Sequence, residues 1–258
     1  LGTHRMLRAH TRTGLGWEVG DKTLRDLRLL YQAAVRQVDA SIGRLLGTLE
    51  SADHADETAV VVAGDHGEEF QDHGHLAHYP KLYDELIRVP LLVDVPGADT
   101  RRIDRQVGLD AIPPTVADLL DVEAPDEWWG QSLAPTVRTD EPPADEPVVS
   151  VTVRGETVTS QPIPRSLDDG ELLVSVRDHE WTYIHHVDDG SHEIYDRRTD
   201  PGEQADLADE TPAARNAAAR FAPIAREHAR LLAQQDGGAD TSGVDADLDA
   251  RLEALGYK

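Results

Sequence analysis

Cysteine is missing from all 258 residues. That excludes a disulfide framework and any thiolate metal site. Lysine is nearly missing as well: Lys22, Lys81 and Lys258 stand against twenty-two arginines. No apolar run reaches the roughly 18 residues of a membrane-spanning helix, so no membrane segment is expected. No secretory signal is visible, and the chain opens on Leu1 rather than methionine. The compartment therefore stays open, with the cytoplasm favoured and an incomplete N-terminus expected. Positive charge is scarce overall, 25 basic against 49 acidic residues for a formal net charge of −24. Such a field argues against nucleic acid or an anionic membrane as the main partner. An anionic substrate would need a local positive centre to draw it in.

The acids are spread along the chain, and the apolar periodicity is strong, so a disordered acidic tail does not fit. An evenly acidic, lysine-poor surface resembles proteins of salt-accumulating halophiles, in which hydrated carboxylates keep the chain soluble. A halophilic archaeon is the expected source. Apolar residues make up 39 % of the sequence, enough for a sizeable core.

Leu24, Leu27, Leu30, Ala34, Val38, Ile42, Leu45 and Leu49 recur at spacings of three and four, which predicts one helix over Asp21 to Glu50, capped by Asp21 or Thr23. Thr58 to Ala63 (TAVVVA) and Val89 to Val95 (VPLLVDV) read as continuous apolar strands of a buried, mostly parallel sheet. Lys81 to Ile87 reads as a short helix, and Leu109 to Leu120 as a helical pattern broken by Pro113-Pro114. The chain then divides into an α/β part (1–135), an acidic proline-rich linker (136–147) and a C-terminal α+β part (148–258). In the last, alternation at Val149-Val151-Val153, Leu172-Val174-Val176 and Trp181-Tyr183-His185 predicts a small antiparallel sheet with one solvated face. Thr211-Pro212 starts a helix that runs to about Gln235, kinked at Pro223.

The segment from Val60 to His78, VVVAGDHGEEFQDHGHLAH, holds four of the twelve histidines, two aspartates and two glutamates. It follows a strand directly, where open α/β sheets place ligands. Asp65 and His66 at the strand end can converge on a cation. Carboxylate suits hard ions, and imidazole widens the choice to Mn, Zn or Fe. Gly67 allows close backbone approach. Glu68, Glu69 and Asp72 read as solvated acids. His185 and His186 alternate on a strand and so face opposite sides. Trp128-Trp129 suits packing better than a sugar platform, and Tyr195 with Asp196 should tie the small sheet to the main one.

TAVVVAGDHGEEFQDHG followed by KLYDELIRVPLLVDVPG resembles the C-terminal half of the sulfatase family, within the alkaline-phosphatase-like superfamily. LYQAAVRQVDASIGRLLGTL, VGLDAIPPTVADLL, WWGQSLAP, EIYDRRTDPGEQADLA and the closing LEALGY resemble further family segments in order. The resemblance implies an alkaline-phosphatase-like α/β sandwich and a metal-dependent hydrolase of sulfate esters, on small molecules or glycans. It implies that Asp65 and His66 ligate a divalent cation, usually Ca2+, with Mn2+, Mg2+ or Zn2+ as alternatives. It implies that His78 acts at the sulfate or leaving-group oxygen. Lys81 is an alternative there, with a solvent-facing helix position as its plainer reading, and His73 and His75 could line the mouth.

The family's Asp-Asp strand and its C/S-x-P-x-R nucleophile motif have no counterpart before this segment. SQPIPR (Ser160 to Arg165) has the wrong spacing and place. The resemblance therefore implies a truncated chain with no nucleophile, inactive alone, and a missing N-terminal half as its partner. A phosphodiester or phosphonate hydrolase, or a phosphoglycerol transferase, of the same superfamily is the alternative. A non-catalytic metal-binding fragment or partner subunit is the third reading.

Overall fold

The computed structural model describes residues 19–139, 141–154, 170–208 and 210–236. SQPIPR and LEALGY lie outside the described residues. Helix α1 (Asp21–Ser51) spans 31 residues. Gly20, in an extended conformation, sits at its N-cap, and the Gly20 carbonyl accepts from the Thr23 and Leu24 N–H groups. Neither Asp21 nor Thr23 caps it, because the glycine ahead of them already closes the first turn. Leu27 is the one buried residue of this helix. Leu30, Val38 and Leu45 of its apolar stripe are exposed.

Strand β1 (Val60–Ala63) and strand β4 (Leu91–Asp94) pair antiparallel, with Val61 opposite Val93. The expected parallel pairing is not found between these two strands. Nor are the two strands buried on both faces: no residue of either is buried and Leu92 is exposed, so the continuous apolar run fixed neither direction nor burial. The connection between β1 and β4 folds into a hairpin of β2 (Glu69–Phe70) and β3 (Leu76–Ala77), then helix α2 (Asp84–Ile87). Val19, just before α1, and Leu24 and Leu27 in its first turns pack on Phe70 and Leu76 of that hairpin. Tyr31 meets Phe70 edge-on at 5.5 Å.

The proline pair does not break its helix. A 3-10 turn (Leu109–Ala111) leads into α3 (Ile112–Leu119), with the prolines in the first turn, where no amide N–H is required. The Thr115 hydroxyl donates to the Ala111 carbonyl and accepts from the Leu133 N–H at 2.8 Å. Helix α4 (Ala134–Thr139) takes up the first residues of the expected linker. Pro143 in that linker is buried, and its carbonyl accepts from Arg105.

Strands β5 (Val148–Arg154), β6 (Glu171–Arg177), β7 (Trp181–His186) and β8 (His192–Asp196) form an antiparallel sheet in chain order. Helix α5 (Pro212–Asp236) covers one face, with Ala214, Ala217, Phe221, Ala225 and Ala229 against Leu172, Val174, Val176 and Ile194. Small residues at helical spacing let the helix sit close, and Pro223 is held within it. The Thr211 hydroxyl caps the start through the Ala214 N–H.

The other face is not solvated, against expectation. Leu173, Ile184 and Tyr195 pack on Leu82, Tyr83 and Ile87. The polar residues that suggested a wet face are buried as partners. Arg177, 3 % exposed, donates to Asp84 and to the Leu82 carbonyl. Glu203, 1 % exposed, accepts from the Thr182 hydroxyl and from the Asp84 N–H at the start of α2. Burial raises the Glu203 carboxyl above its ordinary range, with Arg177 pulling the other way. KLYDE and DPGE, far apart in sequence, thus meet through Asp84 and Glu203. The sheet and the DHG segment form one packed unit.

Candidate metal centre

The site is built at the exit of β1. Gly64 extends the β1–β4 ladder, its N–H donating to the Pro90 carbonyl. Gly67 then passes against α2, donating to the Leu86 carbonyl at 2.7 Å. A Cβ at Gly67 would lie 1.9 Å from the Glu85 carbonyl oxygen, so the close approach requires glycine here. This contact fixes where His66 and Glu68 emerge.

Register then brings in the third group. Glu69 pairs with Ala77, so Glu68 and His78 stand opposite each other just past the hairpin ladder. His78 Nδ1 lies 3.3 Å from Glu68 Oε2. The His66 and His78 rings lie 4.4 Å apart between centroids. One ligand atom each from His66, Glu68 and His78 falls within 4.8 Å of the others. His66 Nδ1–H donates to the Gly67 carbonyl at 2.9 Å, which leaves Nε2 as the ring nitrogen free for a cation. Asp65 Oδ2 stands 3.8 Å from that Nε2. Backbone N–H groups of His66 and of Asp65 itself, then the nearby imidazoles, hold the Asp65 carboxyl below its usual range. An ionised carboxylate beside two imidazoles and a second carboxylate fits a divalent cation. Imidazole beside carboxylate is a donor mix that Mn2+ and Zn2+ accept, whereas Ca2+ takes six to eight oxygens.

Lys81 and His73 are committed elsewhere. Lys81 is not solvent-facing; it is 7 % exposed and paired with Glu69, which is fully buried. His73 stacks flat on Tyr83 at 3.6 Å. Its Nδ1 donates to Glu85 (2.6 Å) and its Nε2 to the Glu203 carbonyl (2.8 Å). Burial opposes charge on His73, but the Glu85 and Glu203 bonds outweigh it and raise its pKa. His75 stacks on Tyr79, and burial and then Lys81 lower its pKa. Its Nδ1 finds no hydrogen-bond partner among the described residues.

Two acids read as solvated are not. Glu68 joins the cluster, and Glu69 is its buried neighbour. The signal available was the hairpin: a Gly74 turn between EEF and HLAH places Glu68 across from His78. A second charged network, also unanticipated, lies in the C-terminal sheet. His186 sits between Glu171 (2.5 Å) and Glu193 (2.8 Å), and Glu193 also accepts from Tyr83 and Tyr195. Its partner His185 is buried separately, as alternation requires. His66 and His78 open into a broad groove lined also by Leu46, Val62, Leu92, Arg105 and Trp129.

The family model described as Sulfatase matches residues 2–122. A Delta 4,5-hexuronate-2-O-sulfatase of Bacteroides thetaiotaomicron is 28 % identical over 88 % of this chain, which covers 45 % of that relative. An N-acetylglucosamine-6-O-sulfatase of the same organism is 29 % identical over 69 % of this chain and 31 % of its own length. Among solved structures, a phosphonate monoester hydrolase from Silicibacter pomeroyi superposes with a TM-score of 0.70 at 26 % identity, over 83 % of this chain and 43 % of that one. The chain thus spans less than half the length of these relatives. The fold is α/β and matches part of the alkaline-phosphatase-like architecture. No helix among the described residues is long and apolar enough to cross a membrane.

Proposed function

We propose that this chain, whose place in the sulfatase family the matches support, contributes the cation-binding side of a sulfate-ester hydrolase. The observation that carries this reading is the convergence of His66, Glu68 and His78 at the exit of β1, inside the stretch that bears the family resemblance. A divalent cation bound there supplies Lewis acidity toward sulfate oxygens and a local positive centre on an acidic chain. Nε2 of His66 and the Glu68 and Asp65 carboxylates would hold it. The His66 Nδ1–H bond to the Gly67 carbonyl orients that ring. His78, more exposed than Glu68, is placed to hold or deliver a proton at a departing oxygen. The relatives' names point to sulfated sugars as the substrate class.

The groove beside the cluster is lined by apolar side chains of β1 and β4, and the stripe of α1 is open. We read both as the seat of the nucleophile-bearing half that the resemblance implies. Phosphonate or phosphodiester hydrolysis is the second reading, favoured by the phosphonate monoester hydrolase match. The acidic surface fits a salt-rich cytoplasm.

Calorimetric titration of the chain with Mn2+, Zn2+ and Ca2+ tests the centre. His66→Ala and Glu68→Ala should each weaken binding about tenfold or more, and wild-type affinity in both would sink the assignment. Supplying the nucleophile-bearing half and comparing aryl sulfate with an aryl phosphonate monoester then separates the two chemistries. Turnover of neither would leave the non-catalytic partner role.

A further inference from the structure

We propose that the buried Glu69–Lys81 ion pair is the positioning device of this centre, holding Glu68 and His78 in reach of His66. This rests on the metal-centre reading above. Glu69 is fully buried, and a carboxylate at such a place must be matched. Its Oε1 accepts from the His73 N–H (2.9 Å) and the His75 N–H (2.7 Å), and its Oε2 from Lys81 (2.8 Å). Lys81 reaches Glu69 Oε1 (3.1 Å) as well and gives its remaining proton to the His73 carbonyl (2.6 Å). All three ammonium donors are thereby used. Lys81 has none left for an anion at the mouth.

The pair ties both strands of the hairpin and the turn between them to one point. That hairpin needs tying. Gln71 in the turn (φ 66°) and Ala77 at the end of β3 (φ 70°) are non-glycine residues in the left-handed region, which L residues enter at a cost. Ala77 precedes His78 directly and is the cross-strand partner of Glu69. Glu69 thus sits on the last rung of the hairpin, with the proposed ligand Glu68 one residue before it and His78, the proposed proton carrier, one residue after its partner Ala77. Removing one charge would leave the other buried and unmatched. The strained hairpin would then relax and carry His78 away from Glu68. Partners behind metal ligands are typically worth about 10–100-fold in affinity.

The test uses the full chain. Glu69→Gln and the doubly neutral Glu69→Gln/Lys81→Met are titrated with Mn2+ by electron paramagnetic resonance, beside His66→Ala. Imidazole resonances of His66 and His78 are recorded without metal. Both hub variants should weaken Mn2+ binding about tenfold or more and shift both sets of resonances. If Glu69→Gln does not fold cooperatively, the neutral double variant is read alone. A folded hub variant with a lowered melting temperature but wild-type Mn2+ affinity and unmoved imidazole resonances would overturn the proposal, leaving the pair merely structural. If wild type binds no Mn2+, or His66→Ala binds it equally well, the metal reading fails. The resonances then decide the positioning claim by themselves: moved, it stands; unmoved, it falls.

Discussion

Two long helices of this chain share an amphipathic sequence pattern and meet opposite fates. Helix α5 buries Ala214, Phe221 and Ala225 completely against the four-stranded sheet. Helix α1, longer by six residues (31 against 25), buries Leu27 and leaves Leu30, Val38 and Leu45 open. The difference teaches where stability resides. Apolar packing holds the C-terminal sheet and its helix. The segment carrying the candidate centre adds polar staples to two smaller apolar clusters: Glu69–Lys81 inside the hairpin, His73–Glu85 beside it, and Arg177–Asp84–Glu203 tying it to the sheet. Polar staples are directional, so they can place ligand groups accurately. They also fail abruptly when one partner is lost.

The contrast can be broken most severely at Arg177. Arg177→Ala should cost about 3–5 kcal/mol in urea unfolding, because Glu203 would stay buried without its cation, while Asp84 keeps Arg197. A small cost, or a second transition, would mean that the sheet and the DHG segment fold separately. Phe221→Ala should cost a similar 3–5 kcal/mol through lost contacts and a cavity in the apolar core. It should leave Mn2+ affinity unchanged.

His186 offers a pH test. Its hydrogen bond to Glu193 raises its pKa to about 9, against burial and with help from Glu171. A raised histidine stabilises the fold fully below its unfolded value near 6.5, and that contribution disappears as pH rises toward 9. Stability should therefore fall by about 1–3 kcal/mol across this window, and His186→Gln should flatten the slope. An unchanged slope in the variant would remove His186 from the account. The smallest effect belongs to α1: Val38→Ser should shift stability by no more than about 0.5 kcal/mol while that face is open. A larger loss would show that the stripe is covered in solution.

Much of this was readable beforehand. The spans of α1 and α5 follow from apolar spacing, the Thr211-Pro212 start from capping chemistry, and the DHG segment from its density of ligating groups at a strand end. Strand direction was not readable, since a continuous apolar run does not encode it. Nor was the fate of Glu68 and Glu69. Two adjacent acids on a strand look alike in sequence, yet alternation sends one toward His78 and the other into the interior against Lys81.

Local chemistry in the sequence was sufficient to determine the two long helices and the C-terminal strands, because periodicity and residue type act over a few neighbours. Only the tertiary structure decided which acid meets His66, which lysine is buried, and which wet-looking sheet face is covered. Those outcomes depend on pairings between residues far apart in the chain, such as Asp84 with Glu203, and the desolvation that enforces them exists only once the chain has closed.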